Sequence, residues 1–200
     1  MIRILHPLSA AIAVAVIVSP TFAVDTNWAG SVSGDWSTAG NWSAGTPTAA
    51  DNAFLPDPLA SNPTISLPGA AVANRLTVTG SGYALTTGSL ALSDNFSVDG
   101  SSALLTLTTD ARVTSPNATI GVSGGNSATR LLVDSRLGVA GTLNVGFDGT
   151  GNRLDVLAGG SVSGANVWLG GVASSASNVV QVASSGTLAA VRWTWMNDRR

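Results

Sequence analysis

Aspartate and arginine carry almost all the ionic chemistry open to this chain. It has 200 residues, and all nine basic residues are Arg while all eleven acidic residues are Asp. Paired carboxylates about 5–9.5 Å apart would suit glycoside hydrolysis. Asp110, Asp134, Asp148 and Asp155 fall in neighbouring repeat units, but their local contexts place them in different phases, so no such pair is expected. Arginine is more regular. Arg130 and Arg153 precede equivalent apolar segments, with Arg75 in the same phase earlier, and Arg112 and Arg136 precede another pair. Stacked outward, such columns would either dock an anionic glycan or form a solvated face neutralised by Asp155. Trp28, Trp36 and Trp42 offer a third chemistry, since indoles stack on sugar rings or seal an apolar core.

Missing residue types exclude more. The chain has no Cys and no Lys, and its one histidine, His6, lies in the leader. Disulfides, Cys-based zinc sites, lysine Schiff bases, Ser-His-Asp triads and Walker-A loops are therefore excluded from the mature part. No catalytic residue, cofactor site or metal site is expected. Charged residues make up 10% of the chain, against roughly 25% in an average protein. Removing the leader loses Arg3, leaving eight Arg against eleven Asp, a net charge of −3. A nucleic-acid partner is not expected of such a surface.

The elements that must position these residues are strands. Leu104-Leu105-Thr106-Leu107, Arg130-Leu131-Leu132-Val133, Arg153-Leu154-Asp155-Val156 and Val179-Val180-Gln181-Val182 repeat one pattern, and Asn74-Arg75-Leu76-Thr77-Val78 matches Asn152–Val156. The anchors Leu76, Leu105, Leu131, Leu154 and Val180 are 29, 26, 23 and 26 residues apart. Val113, Val162 and Leu188 each follow six residues after the first segment, at Leu107, Val156 and Val182. Then come Ala118-Thr119-Ile120-Gly121, Leu143-Asn144-Val145-Gly146 and Val167-Trp168-Leu169-Gly170. Each unit therefore holds three short segments alternating with period two, separated by turn-forming Gly, Ser, Asn and Asp. A repeat near 25 residues fits one coil of a three-sided parallel β-solenoid, with like residues stacking about 4.8 Å apart. The Asn positions predict amide ladders. The Gly after each third segment predicts positive φ. About five coils are expected.

Around this array the chain divides into four parts. Residues 1–23 read as a signal peptide: Arg3, an apolar run Leu8–Val18, and Thr21-Phe22-Ala23 as cleavage site. The apolar run is too short for an ordinary membrane-spanning helix, which needs roughly 20 residues, so no transmembrane helix is expected in the mature chain. Residues 24–68 form a Trp-rich cap and a Pro-rich passage, as a solenoid's terminal coil needs. Residues 69–195 are the solenoid repeats, and 196–200 a polar tail. Trp193 and Trp195 fall 26 residues after Val167 and Leu169. They either plug the final coil or mark an array cut short, with end-to-end self-association as a consequence of an open coil.

The string Gly34-Asp35-Trp36, Asn41-Trp42, Gly45, Pro47 and Asp51-Asn52-Ala53-Phe54, followed by Asn-x-Leu-x-Val and Leu-x-Val-Gly repeats, resembles the opening of secreted bacterial repeat proteins. These include autotransporter passenger domains and large exported proteins with a PEP-type sorting tail. The resemblance covers most of residues 25–190. It implies an all-β, right-handed parallel β-helix acting at the cell surface or in the extracellular matrix as a non-enzymatic, adhesin-like scaffold. Extracellular polysaccharide or surface components are the implied partners. The 200 residues hold no Pro-Glu-Pro signal and no C-terminal apolar helix. A carbohydrate-binding module, using Trp28, Trp36 and Trp42 or Arg112, Arg130, Arg136 and Arg153, is the rival reading. A polysaccharide-active β-helix enzyme, or a fragment of one, is the third.

Overall fold

The structure, a computed structural model, describes residues 23–57, 61–108, 110–122, 128–172 and 175–195. The segment read as a leader, apart from Ala23, and the polar tail at 196–200 lie outside the described residues. Strands β1 (Asp25–Asn27) and β2 (Asn52–Leu55) lead into six coils. The first comprises β3 (Thr64–Ser66), β4 (Ala71–Ala73) and β5 (Arg75–Val78). The second comprises β6 (Ser81–Thr86), β7 (Ser89–Leu92) and β8 (Asn95–Val98), and the third β9 (Leu104–Thr108), β10 (Arg112–Ser115) and β11 (Asn117–Ile120). In the last three coils the second and third strands merge. These coils are β12 (Arg130–Val133) with β13 (Arg136–Val145), β14 (Arg153–Val156) with β15 (Ser161–Leu169), and β16 (Val179–Val182) with β17 (Thr187–Trp195).

All strand-to-strand pairing is parallel, and it closes three faces. Face 1 stacks β3, β6, β9, β12, β14 and β16. Face 2 stacks β4, β7, β10 and the first halves of β13, β15 and β17. Face 3 stacks β1, β2, β5, β8, β11 and the second halves of the same three strands. Counting the lead-in strands β1 and β2 with the six coils, the result is a parallel β-solenoid of about seven turns rather than five.

Alternation sends every second side chain inward, and the parallel register stacks equivalent residues into columns. Tyr83, Leu105, Leu131, Leu154 and Val180 make one column on face 1. Ala71, Leu90, Val113, Leu137, Val162 and Leu188 make one on face 2. Ala53, Leu76, Phe96, Ala118, Leu143, Val167 and Trp193 make one on face 3. On face 3 the large Phe96 stacks against the small Ala118, so volume is shared between coils.

The expected anchor Leu76 is therefore in the wrong column. Leu76 pairs with Ala53 and Phe96 on face 3, and the face 1 partner of Leu105 is Tyr83. Arg75 falls with it, and is not in phase with Arg130 and Arg153. The similarity of Asn74–Val78 to Asn152–Val156 reflects a shared need for polar–apolar alternation, not a shared place in the coil. The ladder also begins earlier than residue 69, because β1, β2 and β3 already pair in register.

Two expected devices are present. Gly121 and Gly146 close the third strand at φ +70° and +69°. A Cβ there would also run into the amides of Asn152 and Asn178 respectively, which lie directly beneath the corner. Those amides form the ladder: Asn178 Oδ1 accepts from Asn152 N at 2.9 Å and from Asn152 Nδ2 at 3.1 Å. Asn152 Oδ1 in turn accepts from Thr129 N at 3.2 Å. Asn74 belongs to a different corner, where its Nδ2 donates to Asn52 Oδ1 at 2.9 Å and Asn52 Nδ2 donates to Asp25 Oδ1 at 2.8 Å.

Candidate functional site

The tryptophans are placed first, because they decide between sugar stacking and capping. Trp28, Trp36 and Trp42 are 1%, 1% and 5% exposed. Trp42 meets Trp28 and Trp36 edge to face at 5.0 and 4.6 Å between ring centroids. Trp42 Nε1 donates to Trp36 O and Trp28 Nε1 to Asn62 O, each at 2.8 Å. The buried Asn41 pins the loop around them. Its Oδ1 accepts from the backbone N–H groups of Val32 and Ser33 at 3.0 and 2.9 Å, and its Nδ2 donates to Ser33 Oγ and Asp35 O at 3.0 and 2.8 Å. Rings packed this way offer no face to a sugar, so the glycan-contact expectation for Trp28, Trp36 and Trp42 is corrected: they are the cap.

The acidic residues of the same motif are turn formers. Asp35 Oδ1 accepts from Ser37 N and Oγ, both at 2.8 Å. These bonds, the backbone one first, hold its carboxyl below the usual range. Asp51 is lowered chiefly by the Thr48 hydroxyl at 2.6 Å, with the backbone N–H groups of Thr48 and Val24 adding to it.

The Arg130–Arg153 pair lies on face 1 in the expected register. Asp155, only 3% exposed, accepts from Arg130 Nε and Arg153 Nε at 2.6 Å each. Arg153 also bonds Gln181 Oε1 in the next coil. One carboxylate thus offsets the repulsion between two stacked guanidinium groups, and it faces them rather than a ligand. Arg75 is likewise paired, with Asp94 at 2.5 Å.

Arg112 and Arg136 differ. They pair in register at the start of face 2, and among the described residues neither makes an ion pair. Beside them the outer surface of face 2 is a column of Val72, Ala91, Thr114, Gly138, Ser163 and Ala189. These residues carry no charge, and the four in the later coils are small. A trough of about 430 Å³ runs over Thr114, Gly138, Ala140 and Ser163. A second hollow of about 390 Å³ continues it over Ser163, Ala165 and Ala189. At the arginine edge lies a polar notch of about 290 Å³, lined by Asp110, Arg112, Asp134, Ser135, Arg136 and Gly159.

The notch is the feature that sequence reading missed. Asp110 and Asp134 each stand two residues before an arginine of the Arg112–Arg136 pair and both line the notch, but Asp134 N donates to Leu107 O, which sets Asp134 opposite Thr108 rather than Asp110. Its trace in the sequence is the recurrence of Asp-x-Arg at Asp110–Arg112 and Asp134–Arg136, which has to be read together with the shorter turn after Val133.

Among the described residues, no group of three or more metal-ligating side chains is gathered, and no helix is long and apolar enough to cross a membrane. Comparison with family models, curated proteins and solved structures finds no match to this chain.

Proposed function

We propose that the protein is an exported, non-enzymatic β-solenoid that serves as a scaffold with an adhesin-like long side, at the cell surface or in the extracellular matrix. The observation that carries this reading is the continuity of the columns. Coil rests on coil without a break from β2 to β17, so the chain is a rod whose outer faces repeat about every 4.8 Å. Such a rod presents many weak, equally spaced contacts at once, which suits spacing and adhesion. The leader and the Trp-rich opening support export. The test is to locate the protein in its host by cell fractionation and to delete its gene. Recovery in the surface or matrix fraction, with reduced attachment in the deletion strain, is expected. A cytoplasmic protein whose loss leaves attachment unchanged would contradict the reading.

A second reading, that the long side is a carbohydrate-binding surface, is favoured by the face 2 trough. It is long, shallow and uncharged, and at its rim stand Arg112 and Arg136, which make no ion pair among the described residues. A linear glycan lying along the solenoid axis would meet an equivalent surface at each coil. Retention of the purified protein on immobilised polysaccharide would support this reading, and its loss on filling the trough with Gly138→Tyr would place the contact. Gly138 suits the purpose because a Cβ there meets Thr114 and Ser163 only at ordinary distances of 3.6 and 3.8 Å.

A further inference from the structure

We propose that the notch at Asp110, Arg112, Asp134 and Arg136 is a subsite for one neutral pyranose unit of an extracellular polysaccharide whose chain runs along the face 2 trough. This inference rests on the carbohydrate reading above and names its point of recognition.

The notch exists because one turn is short. Between the last inward residue of face 1 and the first of face 2, the chain advances six residues from Leu107 to Val113 and six from Val156 to Val162. It advances only four from Val133 to Leu137. The backbone ladder continues on both sides of the gap: Asp134 N donates to Leu107 O, Arg136 N to Ala111 O and Ser161 N to Ser135 O. The two longer turns therefore stand out through Asp110 and Gly159, and the short one lies recessed between them. Ser135, 7% exposed, forms the floor, with its hydroxyl donating to Ala111 O. Gly159, at φ +87°, has nothing within 4 Å of the place a Cβ would take, so that wall is open.

The charges point to the ligand. Elsewhere on this solenoid, opposite charges one coil apart close on each other, as Arg75 does on Asp94 and Arg130 on Asp155. Around the notch two carboxylates and two guanidinium groups line one hollow, yet among the described residues none of the four makes an ion pair. Arg112 and Arg136 are stacked in register, an arrangement that is unfavourable until something stands between or beside them. Aspartate can only accept hydrogen bonds and arginine can only donate them. A sugar hydroxyl does both, so a ring bearing several hydroxyls satisfies both kinds of group. An anion would be attracted by the arginines and repelled by Asp110 and Asp134, and a cation the reverse. A neutral polyol alone meets no opposing charge. The volume of about 290 Å³ lies just under the range of whole drug-sized sites, and suits a single ring rather than an oligosaccharide. The rest of the glycan chain would lie on Thr114, Gly138 and Ser163 next to it.

The test is affinity electrophoresis of the purified protein in native gels cast with neutral polysaccharides (a β-glucan, a galactomannan, an α-glucan) or anionic ones (polygalacturonate, alginate). Asp110→Asn, Asp134→Asn and Arg136→Gln are compared with Arg75→Gln, which lies away from the notch. Circular dichroism checks that each variant is folded. Retardation by at least one neutral polysaccharide is expected. It should weaken about tenfold or more in each notch variant and stay unchanged in Arg75→Gln. Retardation that survives the notch variants but is lost in Gly138→Tyr overturns the subsite and leaves the carbohydrate reading standing. Retardation by anionic gels alone overturns the choice of a neutral sugar. Absence of retardation in every gel overturns both. Release of reducing ends from a retarding polysaccharide overturns the assignment of the notch as a binding-only site.

Discussion

At the N-terminal end of the solenoid Trp28, Trp36 and Trp42 are sealed within the core, whereas at the other end Trp193 and Trp195 stand 41% and 67% exposed. Both groups lie against the same kind of apolar column. Trp193 and Trp195 extend the columns of Val167 and Leu169 by one coil. What separates the ends is the chain around the indoles. Residues 28–43 fold back across the first coil, and Asn41 ties that loop with four side-chain hydrogen bonds. Two of the three indole N–H groups find a carbonyl, at Asn62 and Trp36. In the last described coil, Val179, Val182, Trp193 and Trp195 are all more than a third exposed. Among the described residues β16 and β17 each have a partner on one side only. Tryptophan thus closes a column only when neighbouring backbone supplies its polar partner and covers its outer face. Among the described residues Trp193 and Trp195 are not covered as the N-terminal indoles are.

The difference can be broken from either side. Removing Trp28 or Trp36 by substitution with Ala should cost about 3–5 kcal/mol, read as a fall in the urea midpoint with the slope checked for two-state behaviour. Leu131→Ala, in the middle of the face 1 column, should cost about 2–5 kcal/mol, and would show whether the cap is as important as the core it covers. Asn41→Ala leaves the backbone N–H groups of Val32 and Ser33 without partners, for about 1–3 kcal/mol. The loss should be accompanied by proteolytic cleavage between residues 30 and 45. Trp195→Ala should change stability by less than about 0.5 kcal/mol, while reducing any concentration-dependent association seen by analytical ultracentrifugation.

Acid sharpens the contrast without mutation. Asp35 and Asp51 have lowered folded pKa values. Each adds stability that is fully present above the ordinary aspartate value of 3.8 and is lost as pH falls through the folded value. The cap should therefore loosen first below about pH 4, with a red shift of tryptophan emission as Trp28, Trp36 and Trp42 meet water. Ser37→Ala, which removes one of the two bonds to Asp35, should move that loosening to higher pH.

Much of this architecture was legible in the residues. Period-two alternation, the column from Leu105 to Val180, the register of Arg112 with Arg136 and of Arg130 with Arg153, and the corner glycines all follow from pattern. The coil count was not legible, because the early coils are shorter. On face 3 the chain takes 20 residues from Leu76 to Phe96 and 22 from Phe96 to Ala118, against 25 from Ala118 to Leu143. They also fill inward positions with Ala71, Ala73 and Tyr83, which break the Leu/Val pattern. A repeat search tuned to the later units passes over them and mistakes Leu76 for a face 1 residue. The notch was hidden for a related reason. It arises from a difference in turn length between neighbouring coils, which no single motif contains. The Trp-rich opening was readable as a cap, but the burial that removes it from sugar binding depends on Asn41 and Asn62, and the spacing of tryptophans does not encode that.

Hydrogen exchange followed by mass spectrometry, resolved coil by coil, tests the central claim most directly. A seven-turn solenoid closed at one end by its tryptophan cap predicts strong amide protection in β2, β5 and the middle coils. Protection should decline toward β16 and β17. Equal protection at both ends, or fraying that starts at β1 and β2 while β17 stays protected, would contradict it.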